Sequence, residues 1–156
     1  MPKNAIPPLQ TEAPVIHPVL GCRLGGYDYS MIDEAGGLTQ FGTHIGVLHP
    51  GPTSSLRQRH ETEDEMIYML AGEVVLVEEH ETFLCKGDFA CWPVGIPTTH
   101  CSGNRSDADV QYLIIGTHNL SDTMHYPDHN LITHKDSAAR QNCQSNGSPY
   151  PERTLR

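Results

Sequence analysis

The feature that most constrains this chain is its punctuation. Short apolar runs alternate with glycine, proline or acidic turns: Thr39–Leu48, Glu65–Leu70, Glu73–Val77, Thr82–Cys85, Asp88–Trp92 and Val110–Ile115. Ala71-Gly72 separates the second run from the third, Glu79–Glu81 the third from the fourth, and Lys86-Gly87 the fourth from the fifth. Short runs joined by tight turns predict an antiparallel meander of β-strands. No segment sustains a 3.6-residue apolar period over three turns, so helix content should be low. No internal repeat is visible, and the 37% apolar content supplies one core rather than two.

The two ends read differently. Residues 1–18 carry Pro2, Pro7, Pro8, Pro14 and Pro18 without periodicity, so residues 1–19 are expected to form an extended arm that packs against the β domain or a neighbouring subunit. The domain proper spans residues 20–131. From Ile132 the chain is rich in Ser, Asn, Gln, Pro and Gly, and residues 132–156 are expected to be a surface tail, partly disordered.

The net charge of −9, with ten Lys and Arg scattered along the chain, argues against nucleic-acid partners and acidic membrane surfaces. The first residues lack the apolar stretch of a signal peptide, and no long apolar run exists. The expectation is a soluble protein of a reducing, cytoplasmic compartment. Cys22, Cys85, Cys91, Cys101 and Cys143 form no CxxC pair, so neither a disulfide framework nor a zinc ribbon is expected. Most of these thiols should pack as small buried hydrophobes.

Ten histidines invite a search for ligands or a base. Gln58 and His60 are two residues apart, so on a strand both side chains point to one face. A turn at Thr62–Asp64 brings Glu65 back at the start of the next strand, where Ile67 and Met69 share its face. His100 can approach the same point from the opposite sheet. Two imidazoles, a carboxylate and an amide oxygen would suit a divalent transition metal (Fe, Mn, Ni or Zn) with positions left open for substrate or water.

At these residues the sequence resembles the cupin superfamily. The first motif of that family, Gly-x5-His-x-His-x3-4-Glu-x6-Gly, is echoed by Gly51, Gln58, His60, Glu65 and Gly72. The second, Gly-x5-Pro-x-Gly-x2-His-x3-Asn, is echoed by Gly87, Pro93, Gly95, His100 and Asn104. Further likeness to single-domain members lies in Gly37–Gly42, Ser54–Arg57, Glu63–Glu73, Asn104–Asp107 and His125–Asp128, so the match covers residues 36 to 131. The resemblance implies an all-β fold, the antiparallel double-stranded β-helix or jelly-roll barrel. It also implies a metal held by Gln58, His60, Glu65 and His100. Gln58 departs from the pattern, since it stands where the family has a histidine and ligates only through its amide oxygen. It either binds the metal weakly or hydrogen-bonds a metal-bound water. The gap from Gly95 to His100 and that from Gly51 to Gln58 are each longer than in the pattern.

Other residues draw plainer readings. His44 and His49 differ in parity, so at most one faces inward, and both are read first as core or rim histidines. Tyr68 and Trp92 are read as packing. Arg57 and Arg59 point away from the ligands and should pair with Glu61, Glu63 or Asp64, with an anion-holding role the lesser reading. His125, Tyr126 and His129 are read as a surface segment, or else as closing the barrel mouth.

Two functions of different class follow. One is a metal-dependent enzyme acting on a small polar or oxyanionic molecule, of isomerase, lyase, decarboxylase or dioxygenase type, with Glu65 or an inward-facing His44 as catalytic base. The other is a non-catalytic cupin that binds or senses a small-molecule ligand at a weakened metal site. Homodimerisation through sheet edges and the proline-rich arm is compatible with either.

Overall fold

The computed structural model describes residues 4–17, 19–21, 23–51 and 53–150. Pro2, Pro18 and Cys22 lie outside the described residues. The strands in chain order are β1 (Gln10–Glu12), β2 (Val15–Ile16), β3 (Arg23–Leu24), β4 (Tyr27–Met31), β5 (Phe41–Leu48), β6 (Arg59–His60), β7 (Glu65–Ala71) and β8 (Glu73–Val77). They continue as β9 (Glu81–Cys85), β10 (Phe89–Trp92), β11 (Cys101–Gly103), β12 (Val110–Thr117), β13 (Asp122–Tyr126), β14 (Leu131–Lys135) and β15 (Arg140–Cys143). One short helix, α1 (Ile32–Gly36), and a single 3₁₀ turn at Pro127–His129 complete the set. The all-β expectation stands, and each of the six apolar runs carries a strand.

The meander does not stand. β7 pairs with β10 and β12, whereas β8 pairs with β9 and β11, so consecutive strands enter different sheets. A six-stranded sheet runs β1-β4-β5-β12-β7-β10; a three-stranded sheet runs β11-β8-β9, and a four-stranded sheet β15-β14-β13-β6. β2 and β3 form a separate ribbon. Gly72 makes the crossing between β7 and β8. Its φ is 77°, and a Cβ there would come within 2.6 Å of the Val110 side chain, so conformation and space both demand glycine.

Alternation along β7 buries Ile67 and Met69 and leaves Tyr68 outside. These two pack with Leu48, Val74, Leu76, Leu84, Trp92, Val110 and Tyr112 into the core. Each fully buried side chain of this kind contributes about 1.5–3 kcal/mol. Asn104, fully buried, donates from Nδ2 to the carbonyls of Leu48 and Ala108, which closes the loop before β12.

Both ends correct or extend the sequence reading. Within the arm, β1 pairs with β4 of the same chain and covers the edge of the six-stranded sheet. The stretch after Ile132, expected as a surface tail, contains most of β14 and all of β15, paired residue for residue. Its inward face is carried by only Leu131 and Thr133, so the apolar signal is thin, and the backbone ladder with β13 holds it. Of the four described cysteines only Cys101 is buried, and all four are free thiols; Cys85 and Cys91 are exposed, against the expectation of buried packing.

Candidate metal centre

The seam between the two smaller sheets builds the site. Gln58 and His100 form a reciprocal antiparallel bridge, with Gln58 N donating to His100 O (3.0 Å) and His100 N to Gln58 O (2.8 Å). Directly opposed residues of an antiparallel pair project to the same face. That face is a cavity of about 150 Å³ lined by Gln58, His100, Glu65, His44, Tyr27 and Tyr112 among others. His60 stands on β6 opposite the buried Met124 of β13 and lines the neighbouring groove.

Three nitrogen and oxygen atoms converge. Glu65 Oε2 lies 3.1 Å from His100 Nε2 and 3.8 Å from His60 Nε2. Burial works against charge on Glu65, but the hydrogen bond and charge of His100, with His60 and His44, outweigh it and hold the carboxyl below its ordinary range. Trp92 stacks on the His100 ring at 3.5 Å between centroids and 10° between planes, and its indole N–H donates to Glu78 (2.7 Å). The ring plane of His100 is therefore fixed by packing.

His60 is fixed differently. Its Nδ1 lies 2.6 Å from Oδ2 of Asp122, whose side chain is fully buried. The other oxygen of Asp122 accepts from the backbone N–H (3.0 Å) and hydroxyl (2.9 Å) of Thr62. Burial alone would raise the Asp122 carboxyl, and these bonds bring it below its ordinary value. A carboxylate facing Nδ1 keeps the proton there, so Nε2 turns its lone pair toward Glu65. Carboxylate–histidine pairs of this kind orient metal ligands.

Asp122 was invisible to the sequence reading. It lies 62 positions from His60 in a segment with no spacing signal, and only the pairing of β13 with β6 brings it across. His60, Glu63 and Asp122 also form a tight donor cluster of their own. Two features of that cluster favour a hydrogen-bonded support over an ion site: the 2.6 Å contact is a hydrogen bond, and Glu63 is already engaged by Lys135 Nζ at 3.1 Å.

A divalent cation fits the inner donor set. Two imidazole nitrogens and one carboxylate oxygen converge, Gln58 lines the cavity beside Glu65 and His100, and the mix suits first-row metals. His100 Nδ1 is buried without a partner among the described residues, so its contact with Glu65 satisfies only half of the imidazole.

His44 joins the cavity, while His49 sits at the rim between Asp28 (3.4 Å) and Asp109 (2.9 Å). Burial lowers the His44 pKa, with Asp33 and Glu65 pulling the other way, so the ring tends toward its neutral form. Burial likewise pushes up the phenols of Tyr27 and Tyr112 and the thiol of Cys101, leaving all three protonated in the wall. Arg57 does not pair with Glu61, Glu63 or Asp64 as expected. It grips Asp128 through Nε (2.9 Å) and Nη2 (2.5 Å) and donates to the carbonyl of Glu78. His125 pairs outward with Glu61 at 2.6 Å.

A second space, a groove of about 510 Å³, shares His44 and Glu65 with the cavity and adds His60, Glu63, Lys135 and Arg140. It connects the site to the surface. No helix of the described residues is long and apolar enough to cross a membrane.

Comparison with known proteins identifies the family and the fold. The Cupin domain family matches residues 44–116. A sugar phosphate isomerase from a cupin superfamily, from Silicibacter pomeroyi, is 32% identical, with 92% of each chain covered and a TM-score of 0.84. A protein of Acidithiobacillus ferrooxidans shares the fold at 23% identity, with 84% of this chain and 81% of that chain covered and a TM-score of 0.76. The polyketide cyclase RemF of Streptomyces resistomycificus shares it at 18% identity, covering 76% and 80%, with a TM-score of 0.61. No match is found among the curated proteins.

Proposed function

The chain belongs to the cupin superfamily, and we propose that it is a metal-dependent isomerase acting on a small hydroxy-carbonyl compound of the sugar class. We read its sheets as the jelly-roll barrel and its centre as Gln58, His60, Glu65 and His100 around one divalent metal. The observation that carries the reading is the convergence of His60 Nε2 and His100 Nε2 on one oxygen of Glu65 beside the neutral His44. The name borne by the Silicibacter pomeroyi protein supports the choice of isomerisation among cupin chemistries.

When bound, the metal supplies a Lewis acid that polarises a carbonyl oxygen. The residues do the rest. Glu65, held ionised by its histidines, serves as ligand, which leaves His44 as the free base in the cavity. An unprotonated ring nitrogen of His44 takes the proton from the hydroxyl-bearing carbon beside the carbonyl and returns it to the former carbonyl carbon, while the hydroxyl proton passes to the former carbonyl oxygen through a Tyr27 or Tyr112 O–H, so no oxidant is consumed. Tyr27 and Tyr112, both protonated, offer O–H groups, and the apolar wall from Ile67, Ile114 and Trp92 excludes water.

Elemental analysis of tag-free protein beside His100→Ala is the first test. About one transition metal per chain, lost in the variant, supports the centre. Deuterium wash-in from D2O into a panel of aldoses, ketoses and their phosphates, abolished in His44→Gln, supports the isomerase. Full metal retention in both His60→Ala and His100→Ala after dialysis against chelator-treated buffer refutes the ligand set. A second reading rests on Gln58: less than one metal per chain with a bound organic ligand favours a non-catalytic binding cupin.

A further inference from the structure

The groove outside the centre has one wall that the proposed chemistry does not use. Lys135 on β14 and Arg140 on β15 are register partners, directly opposite one another in the antiparallel ladder. Both share the parity of Thr133 and Asn142, the next opposed pair on that face, whose side chains meet in a 2.7 Å hydrogen bond. Like charges directly opposite on one sheet face repel. The chain has only ten Lys and Arg against nineteen Asp and Glu, so placing two of the ten face to face is costly and local.

Compensation reaches only one of them. Glu63 Oε1 binds Lys135 Nζ at 3.1 Å, whereas Arg140 has no ion-pair partner among the described residues. Arg140 is exposed at the groove's edge, and its guanidinium charge is felt by the Tyr126 phenol. The same groove holds His44, His60 and Glu65. Across the sheet, β15 stands three strand spacings from β6, about 14 Å. With His60 and Arg140 both lining the groove, that span matches a small sugar with its reacting end at the centre and a charged group at its far end.

We propose that Arg140, with Lys135, forms a phosphate site that holds the terminal phosphoryl group of the substrate at the mouth of the groove. The inference rests on the isomerase reading and narrows its substrate to a sugar phosphate. A phosphate dianion answers the excess positive charge of the opposed pair, and the guanidinium offers it paired N–H donors. Asp33 and Asp64 line the same groove, so the anion is held at the cationic wall and excluded from the rest.

The test is titration of the purified protein with inorganic phosphate, read by calorimetry, with metal content measured on the same samples. The variants are Arg140→Met, Arg140→Lys and, as a control, Arg105→Met, whose arginine is tied to Glu81 elsewhere on the surface. Thermal melts establish that each is folded. Phosphate binding should weaken at least tenfold in Arg140→Met, change by less than about threefold in Arg140→Lys and stay unchanged in Arg105→Met. Absent binding in the parent protein, equal binding in Arg140→Met, or acetate binding as tightly as phosphate each overturns the site. Binding that vanishes with chelator yet survives Arg140→Met assigns the phosphate to the metal and also overturns it. Loss in Arg140→Met from a protein that holds no metal would leave the anion site standing and sink the isomerase reading instead.

Discussion

Replacement of Asp122 by asparagine separates the two ways this site could be wired. The amide is nearly the same size, and its oxygen still accepts from the N–H and hydroxyl of Thr62, as Oδ1 of the acid does now. The group facing His60 Nδ1 at 2.6 Å then becomes an NH2, which donates and cannot accept. His60 must offer its Nδ1 lone pair to that amide and carry the proton on Nε2, the nitrogen aimed at Glu65. A protonated Nε2 cannot ligate.

Outer-shell changes of this kind cost about 10–100-fold in metal affinity, which is about 1.4–2.8 kcal/mol. Stability of the metal-free protein should fall by less, about 1 kcal/mol, because one charge-assisted bond becomes a neutral one and no donor is stranded. Competition against a fluorescent chelator gives the affinity, and urea unfolding in chelator gives the stability. Glu63→Gln is the companion variant. If His60 Nε2, Glu65 and His100 hold the metal, Glu63→Gln keeps its affinity within a few-fold while Asp122→Asn loses it. Parental affinity in Asp122→Asn would refute the tautomer argument. Equal loss in both variants would move the ion to the cluster of His60, Glu63 and Asp122.

Two further outcomes follow from the wall of the cavity. A Cβ on Gly46 would lie 2.4 Å from the Tyr112 ring, itself buried against β5, so Gly46→Ala should destabilise by about 1–3 kcal/mol through overpacking; an unchanged urea midpoint would mean that the ring moves freely. His44 has a folded pKa depressed by burial below its unfolded value of about 6.5. Between the two values the unfolded chain binds more protons, so the contribution is complete above pH ~6.5 and is lost as pH falls through that window. In chelator-stripped protein this slope should flatten in His44→Gln, and equal slopes in parent and variant would show that His44 is not buried neutral.

Much of the site was legible because its signals are local. Short spacings brought Gln58, Glu65 and Ile67 to one cavity, where His100 joins them, and the period of two along β7 buries Ile67 and Met69 together. Turn residues marked the strand boundaries to within a few positions. Which strand pairs with which was not local. β7 and β8 are neighbours in sequence and part company at Gly72, and nothing in the runs themselves distinguishes a hairpin from a crossing. Pairing partners are chosen by packing across the two faces, a property of the whole core.

The misread C-terminal stretch carries the larger lesson for the site. A strand near the open end of a sheet needs few apolar residues, because backbone bonding to its neighbour supplies the ladder and only alternate side chains are covered. Leu131 and Thr133 meet that need, and the polar composition that suggested a tail is the exposed half of the strand together with its linkers. Yet β14 and its partner β13 bring the Asp122 that faces His60, the Lys135 that engages Glu63 and, through β15, Arg140, which has no ion-pair partner among the described residues. Residues 44–116 hold the proposed donors Gln58, His60, Glu65 and His100, and the strands beyond them supply the carboxylate facing His60 and part of the groove's charge. Specificity among proteins with similar donor sets is therefore to be sought in the segment whose composition advertises it least.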